Sequence, residues 1–332
     1  MLIVMKFGGS SLASASHIRH AAELILNARQ EGHRTVVVVS AQGDTTDDLV
    51  CRARELSPSP DPREEDVLLS CGEQMSMALL AMYLRELGCP AVSLCGWQAG
   101  ILTDSRHGDA RIQVIDPGRV RRELAADNVV VVAGFQGVDE GGDITTIGRG
   151  GSDTTAVALA AALQADVCRI YTDVKGVYSA DPRLVETAMI HRDISYEEML
   201  EMASLGAQVL HNRSVEMAKR YNVNLEVLSS FSGKPGTKVK EVAKTLEKSH
   251  VVGVAKDTII ARLALVGLSD KPGTAFRIFS LLAKNKINVD IILQSIGRNE
   301  TKDISFTVAK SDLAAAEEVL EKYKASIGFV SV

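Results

Sequence analysis

The chain has 332 residues, 46% of them hydrophobic, which is enough for two domains with sizeable cores. Its formal net charge of −5 and 4% aromatic content offer no electrostatic attraction for nucleic acid and no platforms on which bases could stack. Five scattered cysteines (Cys51, Cys71, Cys89, Cys95 and Cys168) form no C-x-x-C pair, so neither a disulfide framework nor a zinc site is expected, and the compartment is expected to be reducing.

Residues 2–7 read as a short apolar strand that ends in Gly8-Gly9-Ser10-Ser11, and an alanine-rich helix pattern follows to about residue 31. The N-terminus is too short for a signal-peptide core, and the apolar runs fall short of the roughly 18 residues that span a bilayer. A soluble, cytoplasmic protein without a membrane partner is expected. The β-branched run 36–40 reads as a strand buried on both faces, leaving through Ala41-Gln42-Gly43-Asp44-Thr45-Thr46. A Pro/Ser/Asp-rich loop over 57–62 precedes a helical period over 66–87. Residues 91–94, 129–133 and 168–172 read as further strands. Strands alternating with helices imply a mostly parallel sheet covered on both faces, with ligands collecting beyond the carboxyl ends of the strands.

Residues 232–250 are lysine-rich, contain Gly and Pro, and lack apolar periodicity, which makes them the best boundary in the chain. Beyond them the order becomes strand 260–268, turn Asp270-Lys271-Pro272-Gly273, helix 274–286, strands 289–294 and 303–309, helix 313–323 and strand 327–332. That order, βαββαβ, is a ferredoxin-like unit.

Four stretches carry chemistry. In Gly148-Arg149-Gly150-Gly151-Ser152-Asp153-Thr154-Thr155 a Gly-rich turn feeds a strong helix former, with Ser152 or Asp153 expected at the N-cap. Such a turn presents unpaired N–H groups and a partial positive charge to an anion, and Arg149 adds a fork matched to carboxylate or phosphate. Lys6 before Gly8 and Gly9 can reach a phosphate at a strand end, although a surface lysine before a turn would look the same. Glu73, in Ser70-Cys71-Gly72-Glu73, is expected early in a helix, either as a plain first-turn carboxylate or as an acceptor for a substrate ammonium. The loop from Thr172 and Asp173 through Tyr178, Asp181 and Arg183 combines acidic groups, an aromatic ring and an arginine suited to a nucleotide, or is simply a well-capped turn. There is no Walker A loop, and the Gly-rich stretch has Asp153 where a dinucleotide fingerprint needs its third glycine.

These segments, with Val39-Ser40-Ala41-Gln42-Gly43-Asp44-Thr45-Thr46 and Gly134-Phe135-Gln136-Gly137, occur together in one order that resembles the aspartate kinase family of the amino acid kinase fold. The βαββαβ unit with Asp270-Lys271-Pro272-Gly273-Thr274 is similar to an ACT domain. The resemblance implies an α/β fold: an amino acid kinase-like, mostly parallel sheet sandwiched by helices over residues 1–245, and one ACT regulatory unit over 252–332. Family members usually carry two ACT units in tandem, and the second is expected to be absent here. The implied reaction is ATP- and Mg²⁺-dependent phosphorylation of the side-chain carboxylate of L-aspartate, giving 4-phospho-L-aspartate for lysine, threonine and methionine synthesis.

By the same resemblance Lys6 and Asp153 are catalytic, Lys6 stabilising the transferred charge and Asp153 organising Lys6. Arg149 holds a substrate carboxylate and Glu73 the α-ammonium, with Ser40, Thr46, Phe135, Gly150, Gly151 and Ser152 completing the pocket. Lys6, Gly8, Gly9 and Ser10 line the phosphates, and Thr172, Asp173, Tyr178, Asp181 and Arg183 hold the nucleotide. Asp270, Gly273, Ala275, Asn288, Asp290 and Gln294 match positions that bind a lysine or threonine effector, while also being ordinary turn and capping residues. No protein-bound metal site is implied. A homodimer or higher homo-oligomer is expected because a single ACT sheet leaves an edge and an apolar face uncovered. The chain departs from the family at Gln208, where a lysine is usual, so a nucleotide contact there is expected to weaken. The rival readings are a kinase of N-acetylglutamate, glutamate or UMP, opposed by the ACT unit and Glu73, and a silent amino-acid sensor, opposed by the retention of Lys6, Arg149, Asp153 and Asp173.

Overall fold

The computed structural model describes residues 1–207, 209–241, 251–295 and 301–332, so Gln208 and the contact expected to weaken there lie outside the described residues. The chain forms two units, Met1–Lys256 and Asp257–Val332. The division falls later than the lysine-rich stretch because the chain returns to the first unit after it. Val252 packs against the first unit's core, and the Val254 N–H donates to the Ser179 carbonyl at 2.8 Å.

The first unit opens with β1 (Leu2–Phe7), α1 (Ala15–Gln30), β2 (Arg34–Val39), α2 (Thr45–Leu56), α3 (Pro62–Glu86) and β3 (Ala91–Leu94). It continues through β4 (Ile101–Thr103), β5 (Ile112–Ile115), α4 (Gly118–Ala125), β6 (Val129–Ala133), β7 (Gln136–Val138), β8 (Ile144–Thr146), α5 (Gly151–Leu163) and β9 (Val167–Thr172). It closes with β10 (Asp193–Ile194), α6 (Tyr196–Ser204), α7 (Asn212–Tyr221), β11 (Leu225–Ser229) and β12 (Thr237–Val239).

An eight-stranded sheet runs β10-β12-β11-β9-β1-β2-β6-β3, and every neighbouring pair is parallel except β11 with β12. The two-residue period of a strand sorts its side chains. Leu2 and Val4 pack with Val36, Val38, Ile170 and α5 on one face, while Ile3, Met5 and Phe7 pack with α1 and α3 on the other. Lys6 shares the parity of Val4 and so belongs to the α5 face. A second, four-stranded sheet, β5-β4-β7-β8, had no clear signal in the sequence because its strands are three or four residues long.

Helix α3 begins at Pro62, capped by the Asp61 side chain on the N–H groups of Arg63 and Glu64. Glu73 is therefore mid-helix and buried rather than in a first turn. By length and composition α3 could cross a membrane, but half of its most apolar window is buried against the rest of the first unit.

The second unit comprises β13 (Ile260–Ser269), α8 (Thr274–Lys284), β14 (Ile292–Gln294), β15 (Thr301–Ala309), α9 (Leu313–Lys322) and α10 (Lys324–Ile327). Its antiparallel sheet runs β13-β15-β14 over a core that includes Leu265, Ile278, Phe306 and Leu320. The expected final strand over 327–332 shrinks to one bridge, Val266 with Ser331, because α10 consumes its start and Gly328 turns in the left-handed region (φ +83°).

Candidate functional site

The carboxyl ends of the parallel strands β2, β1, β9 and β11 lie at one edge of the sheet, and the polar residues gather there. At the end of β1 the Lys6 ammonium lies 2.7 Å from the Asp153 carboxylate, both side chains 12% exposed. Asp153 reaches it from the first turn of α5. Helix α5 starts at Gly151 with Gly150 as its cap, so the expected capping role of Ser152 or Asp153 is not realised. Gly150 adopts φ +68°, and a Cβ there would fall 2.2 Å from Cγ of His211, so only glycine fits. Ser152 and Asp153 are thereby free for other work. The Ser152 and Ser40 hydroxyls lie 2.7 Å apart, joining the end of β2 to α5.

One residue further, the Ala41 N–H donates to Oε1 of Glu73 at 3.0 Å. Oε2 of Glu73 is buried without a partner among the described residues. Burial pushes the Glu73 carboxyl up to about 7, against the lowering effect of the Ala41 N–H. A buried acceptor with one oxygen unsatisfied suits a cationic ligand group.

At the end of β6 the half-buried Phe135 has φ +67°, rare outside glycine. Thr155 Oγ1 accepts its N–H at 3.1 Å and the Ile147 N–H donates to its carbonyl at 2.8 Å, which hold that conformation. Its ring lies close over Gly151. Thr46 is half-buried in the first turn of α2. Arg149 is exposed and, among the described residues, shows no ion pair or hydrogen bond.

On the other side of Lys6, Gly8 and Gly9 pass close to the neighbouring loops. The Gly8 N–H points to the Tyr171 carbonyl at 3.4 Å, and a Cβ on Gly9 would fall 2.9 Å from the Ala41 carbonyl. Gly9 and Ser10 head a short 3-10 helix (Ser10–Leu12), where N–H groups are left without partners inside the helix. Thr172 ends β9 and donates its hydroxyl to Asp173 at 3.0 Å. Ser11 and Ser230, 2.6 Å apart, tie the exits of β1 and β11 together, and the Ser230 N–H donates to the Thr172 carbonyl. Asp181 and Arg183 pair with each other at 2.9 Å, and the guanidinium holds the Asp181 carboxyl below its usual range. Tyr178 is anchored by a bridge to Ile190.

Direct contacts thus link Lys6 with Asp153, Ser40 with Ser152, Phe135 with Gly151, and Glu73 with the backbone next to Ser40, whereas Thr46 and Arg149 make none that is seen among the described residues. The expected nucleotide loop starts beside Gly8. Sequence reading gave no role to Asp66, His107, His211 and Arg213, which lie around the Gly-rich turn. They carry no local pattern, and only the tertiary fold brings them together. The expected effector positions all lie in the second unit: Asp270 pairs with Lys302, Asn288 donates to Asp290 at 2.9 Å, Gly273 caps α8 with φ +88°, Ala275 is in α8 and Gln294 ends β14.

The sequence profile of the amino acid kinase family matches residues 1–229, and that of the ACT domain matches 263–323. The chain is 51% identical over 336 residues to an aspartokinase of Mycolicibacterium smegmatis, covering all of this chain and 80% of that protein. It is 52% identical over 320 residues to an aspartokinase of Geobacillus stearothermophilus, covering 96% of this chain and 79% of the relative. Among solved structures, Escherichia coli aspartokinase III in complex with aspartate and ADP superposes with a TM-score of 0.81 at 27% identity, over 98% of this chain and 84% of that one. The same enzyme with lysine and aspartate gives 0.74 at 26% identity, over 98% and 83%. The aspartate kinase of Synechocystis gives 0.67 at 45% identity, covering 97% of this chain and 55% of that longer one.

Proposed function

The chain belongs to the aspartokinases of the amino acid kinase family and phosphorylates aspartate, and from that premise we propose how its own residues divide the work between ATP and the acceptor. The attacking group is the side-chain carboxylate, whose ordinary pKa near 4 leaves it ionised at neutral pH, so no general base is needed. Catalysis then consists of in-line positioning and neutralisation of charge on the transferred phosphoryl group. Lys6 supplies that charge, and Asp153 fixes where the ammonium points. Glu73 receives the α-ammonium, Arg149 the α-carboxylate, and Ser40, Thr46, Phe135 and Gly150–Ser152 close the pocket. The loops at Gly8–Ser10 and Thr172–Arg183 take the phosphates and the nucleoside.

The single observation that carries this division is the Lys6–Asp153 pair, which joins the end of β1 to the first turn of α5. Mg²⁺ would arrive on the ATP phosphates, as an ion that is usually held by phosphate oxygens and water with one or two carboxylates. When bound, the ion neutralises phosphate charge; the residues named here orient the two reactants around it.

We further propose that the ACT unit takes lysine as effector through Asp270, Gly273, Ala275, Asn288, Asp290 and Gln294. Exposed Ile292 (52%), Leu293 (59%) and Phe276 (76%) in this unit support self-association of the chain. A hydroxamate assay with ATP, Mg²⁺ and L-aspartate, run beside glutamate and N-acetylglutamate, tests the acceptor. Product is expected with aspartate alone, and Lys6→Ala is expected to lower kcat by about 10²–10³-fold. Near-wild-type turnover in that variant would remove Lys6 from the mechanism. Added lysine should reduce the rate.

A further inference from the structure

The turn that carries Arg149 is held from two sides by residues outside the substrate pocket. Asp66 lies in α3, 1% exposed and two helical turns before Glu73. Its carboxylate accepts the Gly108 N–H at 3.1 Å, the Thr146 hydroxyl, and Nδ1 of His107 at 2.9 Å. The strap 107–110 is thereby fastened to α3, and it is joined to the end of β8 by the Ala110 N–H on the Thr146 carbonyl at 2.9 Å. From α7, Arg213 donates through Nη1 to the Ile147 carbonyl at 2.7 Å and to Asp109 at 2.9 Å, and through Nη2 to the Ala110 carbonyl at 3.0 Å. Gly148 (φ +80°) lies flat against the strap, where a Cβ would sit 3.0 Å from the Asp109 carboxylate and 3.1 Å from the Gly108 carbonyl. Residues 146–148 are therefore fixed at side chain, carbonyl and α-carbon in turn, and the next residue is Arg149.

We infer that Asp66, His107 and Arg213 are positioning residues that fix the base of Arg149 and so set the affinity for aspartate. The inference rests on the reading of Arg149 as the clamp on the α-carboxylate. Arg149 is exposed, with a long side chain and no partner of its own among the described residues, so its reach is defined by where its backbone is held. A bidentate clamp loses its aim when its base shifts by an ångström, and such a shift at a distance from the chemistry costs about 10²-fold. The brace is specific because each donor has a fixed direction. A buried carboxylate that loses a donor is left with an unsatisfied oxygen, a cost relieved by water, which would draw the strap away from the turn.

The test is steady-state kinetics of the full chain with aspartate and ATP varied separately, and melting temperatures recorded for each variant. His107→Leu and Arg213→Met are expected to raise the KM for aspartate about tenfold and leave the KM for ATP within about twofold. His107→Asn, whose side-chain nitrogen can replace Nδ1, is expected to restore most of the loss. Arg149→Ala by itself should raise the KM for aspartate, and His107→Leu should add nothing in that background, because the brace acts through the residue already removed. An unchanged KM for aspartate in both brace variants, an equal rise in both KM values, or a full additional loss on top of Arg149→Ala would overturn the inference. If Arg149→Ala itself left the KM for aspartate unchanged, the clamp reading would fail first, a result distinct from a brace that fails beneath a working clamp.

Discussion

At Glu73 the packing of the protein and its chemistry pull in opposite directions. The fold buries the carboxylate in the middle of α3 and raises its pKa from 4.5 to about 7, whereas the proposed role needs it ionised. The sign for stability follows from proton counting. Below pH 4.5 both folded and unfolded states carry the proton. Between 4.5 and 7 only the folded state does, so stability falls as pH rises, by an amount on the order of 3 kcal/mol in all. Above 7 the loss is complete. Thermal melts of wild type and Glu73→Gln from pH 4.5 to 7.5 should therefore differ in slope, the glutamine variant being flatter. In kinetics, kcat/KM for aspartate should rise as pH increases towards 7, because that ratio reports groups of the free enzyme, and the rise should vanish in Glu73→Gln. The acidic residue itself was legible in the Ser-Cys-Gly-Glu stretch, but its place in the helix was not. Asp61-Pro62 is an N-cap followed by proline at the first helical position, and within a Pro/Ser/Asp-rich segment it reads as loop.

Among the elements, α5 shows how the same residues can satisfy two readings of a sequence. Ser152 and Asp153 have the chemistry of a cap, and a Gly-rich turn before an alanine run places a helix start nearby. The left-handed conformation of Gly150 moved that start upstream, and the two side chains turned to Ser40 and Lys6 instead. Nothing local distinguishes the two outcomes, because the partners lie more than a hundred residues away. Gly150→Ala should therefore be costly for two separable reasons. A left-handed alanine costs about 1–2 kcal/mol, and the His211 ring occupies the space of the new methyl group. Combining it with His211→Gly, which removes the ring and also the β-carbon 2.3 Å from the new methyl group, should recover the steric part and leave the conformational part, which a double-mutant cycle on denaturant midpoints would separate. Full additivity of the two substitutions would place the His211 side chain outside the contact.

For the whole molecule, the parallel order of the main sheet was legible because β-branched runs alternate with helix patterns and their exits are polar. The short-stranded second sheet and the reduced last strand of the ACT unit were not, because three-residue strands are held by pairing partners and carry no period of their own. The division between the two units falls after Lys256, a few residues past the change of composition, for a related reason. A lysine-rich stretch marks a change of composition, but Val252 and Val254 fasten the chain that follows it to the first unit, beside the proposed nucleotide loop. A chain ending after Lys256 is expected to keep its KM for ATP within about twofold of the full chain. One ending after Glu241 loses the Val254 bond to Ser179, and its KM for ATP should rise while that for aspartate changes less. Equal values in the two shortened chains would detach this segment from nucleotide binding.

Helix α5 has almost no face towards water: of its 13 residues only Ala161 and Ala162 escape full burial. Its backbone amides should admit deuterium only when the entire kinase unit opens, making this helix the last clock to start in an exchange experiment. An end so firmly seated cannot recede to accommodate a longer acceptor. Tolerance for one more methylene, as in glutamate, would have to come from Arg149 and Phe135 on the surrounding turns, so a laboratory search for altered acceptor choice should begin with those two positions.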